Sequence, residues 1–548
     1  MNRIITTGLL IYFCQSTNLF GIDRTWVVFE NRNDSNERYT ALLDSLQLVW
    51  PKKSLSRRAK SGLGLTNEDM DINPRYITSI ANLGAQVVCI SKWMNAVSIV
   101  AASSVISEIE MLDFVKTTHS VASFQIEAKS LNDINLEFDK ESGVVENKIQ
   151  SHQMYLGDYG QSYTQAIQSG AIEAHRRGYT GDGVLLGMLD TGFQLDHRAF
   201  AGLDLVAQYD FIFNDSDPSY DPRTDKRGQA NHGTACLSVI VGQDPGRLVG
   251  IAPGVSVALA KTELTGSEER IEEDYWVEAI EWLEWLGVDV VSSSLSYRKW
   301  YSKGDYNGKT PFITRAAERA SELGVIICNS AGNDGPLGIT LGAPADAPNV
   351  LAIAAVDSTG LIAGFSSRGP TSDGRIKPDV AALGKNVVCA KPMTWNEYTR
   401  WNGTSLSCPI VAGIVALVIE AHPDWSPSRV REAIRNSSDK SISPNLVYGY
   451  GIVNARKAID YPSLTGRVMN RSTGLGIAGL DVIVSSGTFQ LSTITEERGF
   501  FEFVNVENNN LITMQIFKGI SEIHTSKFQN IPPSDYRDIL VDLISNEK

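Results

Sequence analysis

Between residues 170 and 460, short runs of Val, Ile, Leu and Ala alternate with stretches of helical length. Runs such as 184–189, 325–328 and 350–356 hold no polar side chain, and 288–291 is broken only by Asp289, so both of their faces must be covered; a strand with one wet face would alternate instead. Strands of this kind separated by helices predict an α/β domain with a parallel sheet and helices on both faces. Such a sheet carries its chemistry at the carboxyl ends of its strands, which fixes where candidate residues are sought.

The sheet does not account for the whole chain, because 548 residues exceed what one hydrophobic core serves. Ahead of it, the pattern predicts strands at 26–29, 85–91, 95–100 and 114–120, with helices at 39–48, 73–83 and 103–111. This strand, helix, strand, strand, helix, strand order is ferredoxin-like α+β. Residues 122–153 are polar and acidic and read as a linker. Past 464 the helical period is lost, and short alternating runs such as 480–484 and 500–504, set apart by Gly, Ser and Asn, predict a small β-sandwich. At the start, Arg3 precedes an apolar run over 4–14 that is too short to span a bilayer, followed by polar 15–18. That is the layout of a secretory signal peptide. Cys14 raises a lipidation alternative, against which stand Tyr12 and Phe13, bulky where small residues are wanted. No later run reads as a membrane span. The expected units are a signal peptide over 1–21, a first domain over 22–121, a linker over 122–153, the main domain over 154–461 and the sandwich over 462–548.

Composition narrows the partners. With 43% hydrophobic and 20% charged residues, the chain is ordinary for a soluble globular protein. A formal charge of −14 leaves nothing to neutralise phosphates in bulk, so nucleic acid is excluded as a partner. The acidity reads as solubility in preference to a taste for basic substrates. Cys14 falls in the signal peptide and Cys89 in the first domain, leaving Cys236, Cys328, Cys389 and Cys408. Four cysteines allow three pairings; their apolar or small neighbours favour buried free thiols.

Four residues carry candidate chemistry. Asp190 ends an apolar run and precedes Thr191-Gly192, at the sheet edge where sites form. His232 lies in Asn-His-Gly-Thr-Ala-Cys over 231–236, leading into an apolar helical run. Ser405 lies in Gly-Thr-Ser-Leu-Ser-Cys-Pro over 403–409, where small residues expose a hydroxyl and an apolar helix anchors it. Its amide at that helix start can donate to a developing oxyanion. Asn333, in Ser-Ala-Gly-Asn-Asp-Gly over 330–335, offers a side-chain amide on a tight loop. Taken singly, each is better explained as a turn cap, a packed histidine, a helix cap or a turn asparagine.

Together, in the order Asp, His, Asn, Ser on one α/β domain, they resemble the subtilisin-like serine proteases (subtilases). The resemblance covers residues 155–460 and includes Phe-Ser-Ser-Arg-Gly-Pro over 365–370 and Lys-Pro-Asp-Val over 377–380. It implies that Ser405 attacks a peptide carbonyl with His232 as general base and later general acid. Asp190 then orients the imidazole, and Asn333 with the Ser405 amide binds the oxyanion. It further implies that Ser294, Leu295 and Ser296, with Ala331 and Gly332, bind extended substrate. Ser296 stands where the family usually has Gly, which bears on the shape of the primary pocket. Cys236, one turn from His232, is similar to the cysteine of proteinase K-like members and implies heavy-metal sensitivity. No metal site is assigned and no cofactor is required. Calcium, which several subtilases bind, is weighed for the acidic stretch with Asp215, Asp217 and Asp221 as a structural ion, but the spacing matches no ligand loop and a solvated loop is the stronger reading.

By the same resemblance residues 26–121 look like the inhibitory propeptide, an intramolecular inhibitor released by cleavage in the linker. The 465–501 region is similar to a carboxypeptidase regulatory-like sandwich, on Thr-Gly-Arg-Val over 465–468, Ala-Gly-Leu-Asp-Val over 478–482 and Arg-Gly-Phe-Phe over 498–501. The expected protein is a secreted or extracytoplasmic (periplasmic or cell-surface) serine endopeptidase, a monomeric zymogen acting on proteins or peptides. An α/β-hydrolase esterase is rejected, because Gly403-Thr-Ser405-Leu-Ser407 lacks the second Gly and the residue order differs. A binding protein on a dead protease fold stands against four intact chemical positions.

Overall fold

The computed structural model describes residues 22–32, 37–121 and 156–542, apart from 267, 442, 462, 488, 505, 507–510 and 529–533. The expected signal peptide and linker lie outside them.

The main domain is built on seven strands, all parallel, in the spatial order Val380–Leu383, Leu351–Val356, Ile326–Ser330, Val290–Ser293, Leu185–Asp190, Ser256–Lys261, Asp204–Asp210. The central strands are buried along their whole length, as successive apolar positions require. One face is covered by the helices Asn231–Val241 and Thr404–Ala421, which pack with Leu186, Met188 and Ile353 into one core. The other face is covered by Ile271–Leu286 and Phe312–Glu322. The helix Thr404–Ala421 is long and apolar enough to cross a membrane by composition, contrary to the expectation that no run past the N-terminus would be, but 83% of it is buried in the protein. Its apolarity serves the core, because sheet and neighbouring helices surround it.

The N-terminal domain is a four-stranded antiparallel sheet in the order Gln86–Ser91, Ala96–Ala102, Ile22–Phe29, Val115–Val121, the ferredoxin-like arrangement. Its strand pattern is only partly alternating, and the structure shows why: both faces are covered. Val27, Phe29, Val97 and Ile99 face the domain's own helices Pro74–Asn82 and Ser103–Glu110. Trp26, Cys89 and Ala96 join the core beneath Ile271–Leu286 of the main domain, with the Trp26 ring stacked 4.9 Å from Phe312. A helix absent from the sequence expectation, Lys52–Lys60, carries no apolar stripe because it docks by charge. Its Arg57 and Arg58 reach Glu284 of the main domain, with Arg58 held between Glu284 (2.6 Å) and Asp69 (2.7 Å).

The C-terminal region forms two sheets, Phe500–Val504, Ser463–Asn470, Ser534–Val541 and Phe489–Ile494, Asp481–Ser486, Ile512–Lys518, Ser521–Phe528. They enclose a common core that includes Leu464, Val482, Phe501 and Met514, the predicted sandwich. Arg429 of the main domain meets Glu502 at 2.6 Å across the junction. Cys89, Cys236, Cys328, Cys389 and Cys408 are all buried free thiols.

Candidate active site

Asp190 ends a central strand and is completely buried. The helix Asn231–Val241 passes over that strand end through Gly233, where a Cβ would lie 2.2 Å from the Gly192 carbonyl oxygen and 3.1 Å from the Asp190 Cβ. Only glycine permits so close a crossing, and the crossing brings His232 Nδ1 to 2.7 Å from Asp190 Oδ1. A carboxylate cannot donate, so Nδ1 carries the proton and Nε2 is left as acceptor. The same Oδ1 accepts from the Thr191 amide at 2.7 Å and hydroxyl at 3.2 Å, which fixes the carboxylate. Burial works against the imidazolium, but Asp190 and then Cys236 outweigh it, and His232 titrates well above its ordinary value of 6.5.

Ser405 is the second residue of the helix Thr404–Ala421, whose first amides have no partner within the helix. The motif ends in Pro409, which lies inside that helix. Lacking an N–H, it cannot bond the carbonyl four residues back. That carbonyl belongs to Ser405, and two other donors reach it: Ser294 Oγ at 2.8 Å and Cys236 Sγ at 3.2 Å. The proline thus opens a place where the histidine helix and the segment Ser294–Ser296 are tied to the turn that carries Ser405. The Ser405 hydroxyl donates to the Ser294 carbonyl at 3.3 Å. Asn333 Oδ1 accepts from the Thr404 amide and hydroxyl, both at 2.9 Å. Both donors demand the oxygen, so the NH2 end is the one turned toward Gly403, 3.8 Å from the position a Cβ there would take.

The remaining sequence-predicted positions lie on the segments that follow the neighbouring strands Val290–Ser293 and Ile326–Ser330. The Leu295 carbonyl turns inward to Asn329 Nδ2 at 2.9 Å, while the neighbouring Ser294 carbonyl faces Ser405. The Ala331 amide is held by the Ile353 carbonyl at 3.0 Å. Gly332, at φ 107°, has Ser296 Oγ 3.0 Å and Ser367 Oγ 2.8 Å from where a Cβ would be. Ser296 Oγ is buried with no hydrogen-bond partner among the described residues, so its side chain fills space beside the loop that carries Asn333.

The acidic stretch does not gather around one point. Asp215 and Asp217 accept from backbone amides two residues on, and Asp221 pairs with Arg223. Asp210 and Asp225 instead meet the fully buried ammonium of Lys261, each at 2.8 Å. Lys261 occupies the position where a cation would be wanted, so these residues do not fit a calcium site. Lys261 was missed from the sequence, although its signal is there: a lysine directly after the buried run 257–260 must find an anion. Among the described residues, the one group of three metal-ligating side chains is Asp190, His232 and Cys236. Burial pushes the Cys236 thiol up, keeping it a donor to Ser405, yet it stands 3.9 Å from His232 Nε2. A mercurial is therefore expected to inactivate the protein, and Cys236→Ser, which keeps the donor, to resist it. Equal inhibition of both in a titration of residual activity would overturn this.

Residues 181–451 match the Subtilase family, and residues 24–137 match the peptidase S8 propeptide domain of Bacteroidota. Serine protease AprX of Bacillus subtilis (strain 168) is 28% identical over 334 residues, 54% of this chain and 70% of that protein. Subtilisin DY of Bacillus licheniformis is 32% identical over 293 residues, 53% of this chain and 95% of that protein. The crystal structure of fervidolysin from Fervidobacterium pennivorans, described as a keratinolytic enzyme related to subtilisin, has a TM-score of 0.55 at 17% identity, covering 95% of this chain and 78% of that one. That last likeness is one of fold.

Proposed function

This chain belongs to the subtilase family of serine peptidases and carries the family's propeptide, and from that premise we propose that it is an exported endopeptidase acting through Asp190, His232 and Ser405. The observation that carries the proposal is the 2.7 Å contact between His232 Nδ1 and Asp190, which leaves Nε2 basic beside the turn holding Ser405. In the reaction, the Ser405 hydroxyl leaves the Ser294 carbonyl for Nε2, gives up its proton there and attacks the peptide carbonyl. The imidazolium, stabilised by Asp190, returns the proton to the leaving amine, and water repeats the sequence on the acyl-enzyme. The oxyanion meets the Ser405 amide and the Asn333 NH2, already oriented by Thr404. Removing such a donor costs about 10²–10³ in kcat. No metal takes part in these steps.

A fluorophosphonate is expected to abolish casein hydrolysis and to label one peptide, the one containing Ser405, read by mass spectrometry. Inactivation with the label elsewhere would overturn the assignment. Because the general base must be neutral and its proton affinity is raised, kcat/KM should climb with pH through a midpoint above 6.5. A midpoint at or below that value would count against the Asp190–His232 coupling.

The propeptide supports a zymogen, with residues 22–121 as inhibitor and cleavage within 122–153. Residues 1–21 are read as the export signal, which makes the destination the periplasm, the cell surface or the medium; separately, we take the active species to be a monomer. We read the C-terminal sandwich as carboxypeptidase regulatory-like, serving stability or adhesion.

A further inference from the structure

Two glycines beside the active site turn their missing side chains toward one hydroxyl. The strand Val290–Ser293 continues into Ser294–Ser296, and its neighbour Ile326–Ser330 continues into the loop that carries Gly332 and Asn333. A third segment lies alongside, because Tyr297 and Ala343 exchange backbone hydrogen bonds at 2.9 and 3.1 Å. A Cβ at Gly342 would stand 2.1 Å from Ser296 Oγ, and one at Gly332 would stand 3.0 Å from it. The space that these glycines leave is therefore occupied by the Ser296 side chain. Its oxygen is buried with no hydrogen-bond partner among the described residues. An unpaired buried hydroxyl costs stability that an alanine would keep, so packing alone does not explain a serine here.

The same segments are placed to hold a substrate. Asn333 is exposed and Ser296 half-buried, so both are open to solvent. The Ser296 amide and carbonyl make no hydrogen bond among the described residues, and a strand edge left bare in this way pairs with an extended chain. The Ser294 carbonyl, 3.3 Å from the Ser405 hydroxyl, becomes free to accept once that hydroxyl moves to attack. A peptide with its carbonyl oxygen between the Ser405 amide and the Asn333 NH2 can give it the N–H of the same residue. That residue is then tied to Ser294 through its nitrogen and to the Asn333 loop through its oxygen, with its Cα over the gap between the two segments.

We propose that Ser296 sets the size of the substrate residue that supplies the acyl group, admitting glycine, alanine and serine and excluding leucine, phenylalanine and other long side chains. The inference rests on the proposed function, which puts the attacked carbonyl between Ser405 and Asn333. A side chain leaving that Cα toward the gap meets the Ser296 hydroxyl, with Gly342 directly behind it. Neither neighbour is free to move away. The Tyr297–Ala343 pair holds the segment of Gly342, and the Ser367 amide donates to the Gly332 carbonyl at 2.9 Å. A substrate serine also supplies the partner that Ser296 Oγ lacks.

The test uses mature enzyme and a mixture of peptides that differ only in the residue before the cleaved bond, Ala, Ser, Leu or Phe. Products counted by mass spectrometry give the ratios of kcat/KM directly. In the wild type, Ala and Ser should exceed Leu and Phe by about a hundredfold or more, since one methylene of misfit is already worth about 10–200-fold. In Ser296→Gly the Ala-to-Phe ratio should fall by about tenfold or more, and Ser296→Ala, which removes only the oxygen, should lie between. Ratios taken within one enzyme preparation are independent of how much of a variant folds. Equal rates for Ala and Phe in the wild type, or a ratio unchanged in both variants, would overturn the role of Ser296 while leaving proteolysis intact. Failure of the wild type to cleave any peptide would instead count against the proposed function itself.

Discussion

Ser405→Ala is expected to lower proteolysis by a factor on the order of 10⁶, the scale seen when the nucleophile of such a triad is removed. It should also leave the chain in one piece. If maturation is self-cleavage, the variant accumulates with residues 22–121 still joined to the main domain, whereas the active wild-type form begins between about residues 121 and 155. Intact mass reads both outcomes. The substitution removes one oxygen from a helix start whose carbonyl remains bonded to Ser294 and Cys236, so the fold should be preserved. Full casein activity in this variant would end the assignment of Ser405 as nucleophile.

The second large effect concerns the docking of the N-terminal domain. Glu284 is buried and faces both Arg57 and Arg58, whose side chains are 3% and 0% exposed. Burial pulls Arg57 below its ordinary value, against the attraction of Glu284. In Glu284→Ala both guanidiniums keep their burial and lose this carboxylate, and Arg58 is left with Asp69 as the carboxylate it pairs with. Breaking a buried pair from one side costs about 3–5 kcal/mol, a factor of hundreds or more in a docking equilibrium. In a Ser405→Ala background, hydrogen exchange at the amides of Trp26–Phe29 should accelerate by that order while the strand Leu185–Asp190 stays protected. Glu284→Gln, which keeps an acceptor, should fall between. Unchanged exchange in Glu284→Ala would show that the apolar face around Trp26 holds the domain by itself.

The same contrast between apolar and charged contacts explains what was readable in advance. The parallel sheet was legible because buried strands need unbroken apolar runs, and the ferredoxin-like order because its strands and two of its helices carry their own periodicity. Lys52–Lys60 was not, since a helix that docks through Arg57 and Arg58 shows no apolar stripe. Asp190, His232, Asn333 and Ser405 were legible as types at motif spacings, since glycines and small residues around them mark close approach. Their hydrogen bonds were not.

The architecture and the candidate residues could be read along the chain, because strand periodicity and glycine placement are local properties. Which atom faces which arises on folding: Pro409 releases the Ser405 carbonyl to Cys236 and Ser294, Thr404 turns the Asn333 amide, and Lys261 takes the place of a cation. Those partners come from segments as many as 169 residues apart. The electrostatics between them depend on distance and burial in space, which no spacing along a chain records.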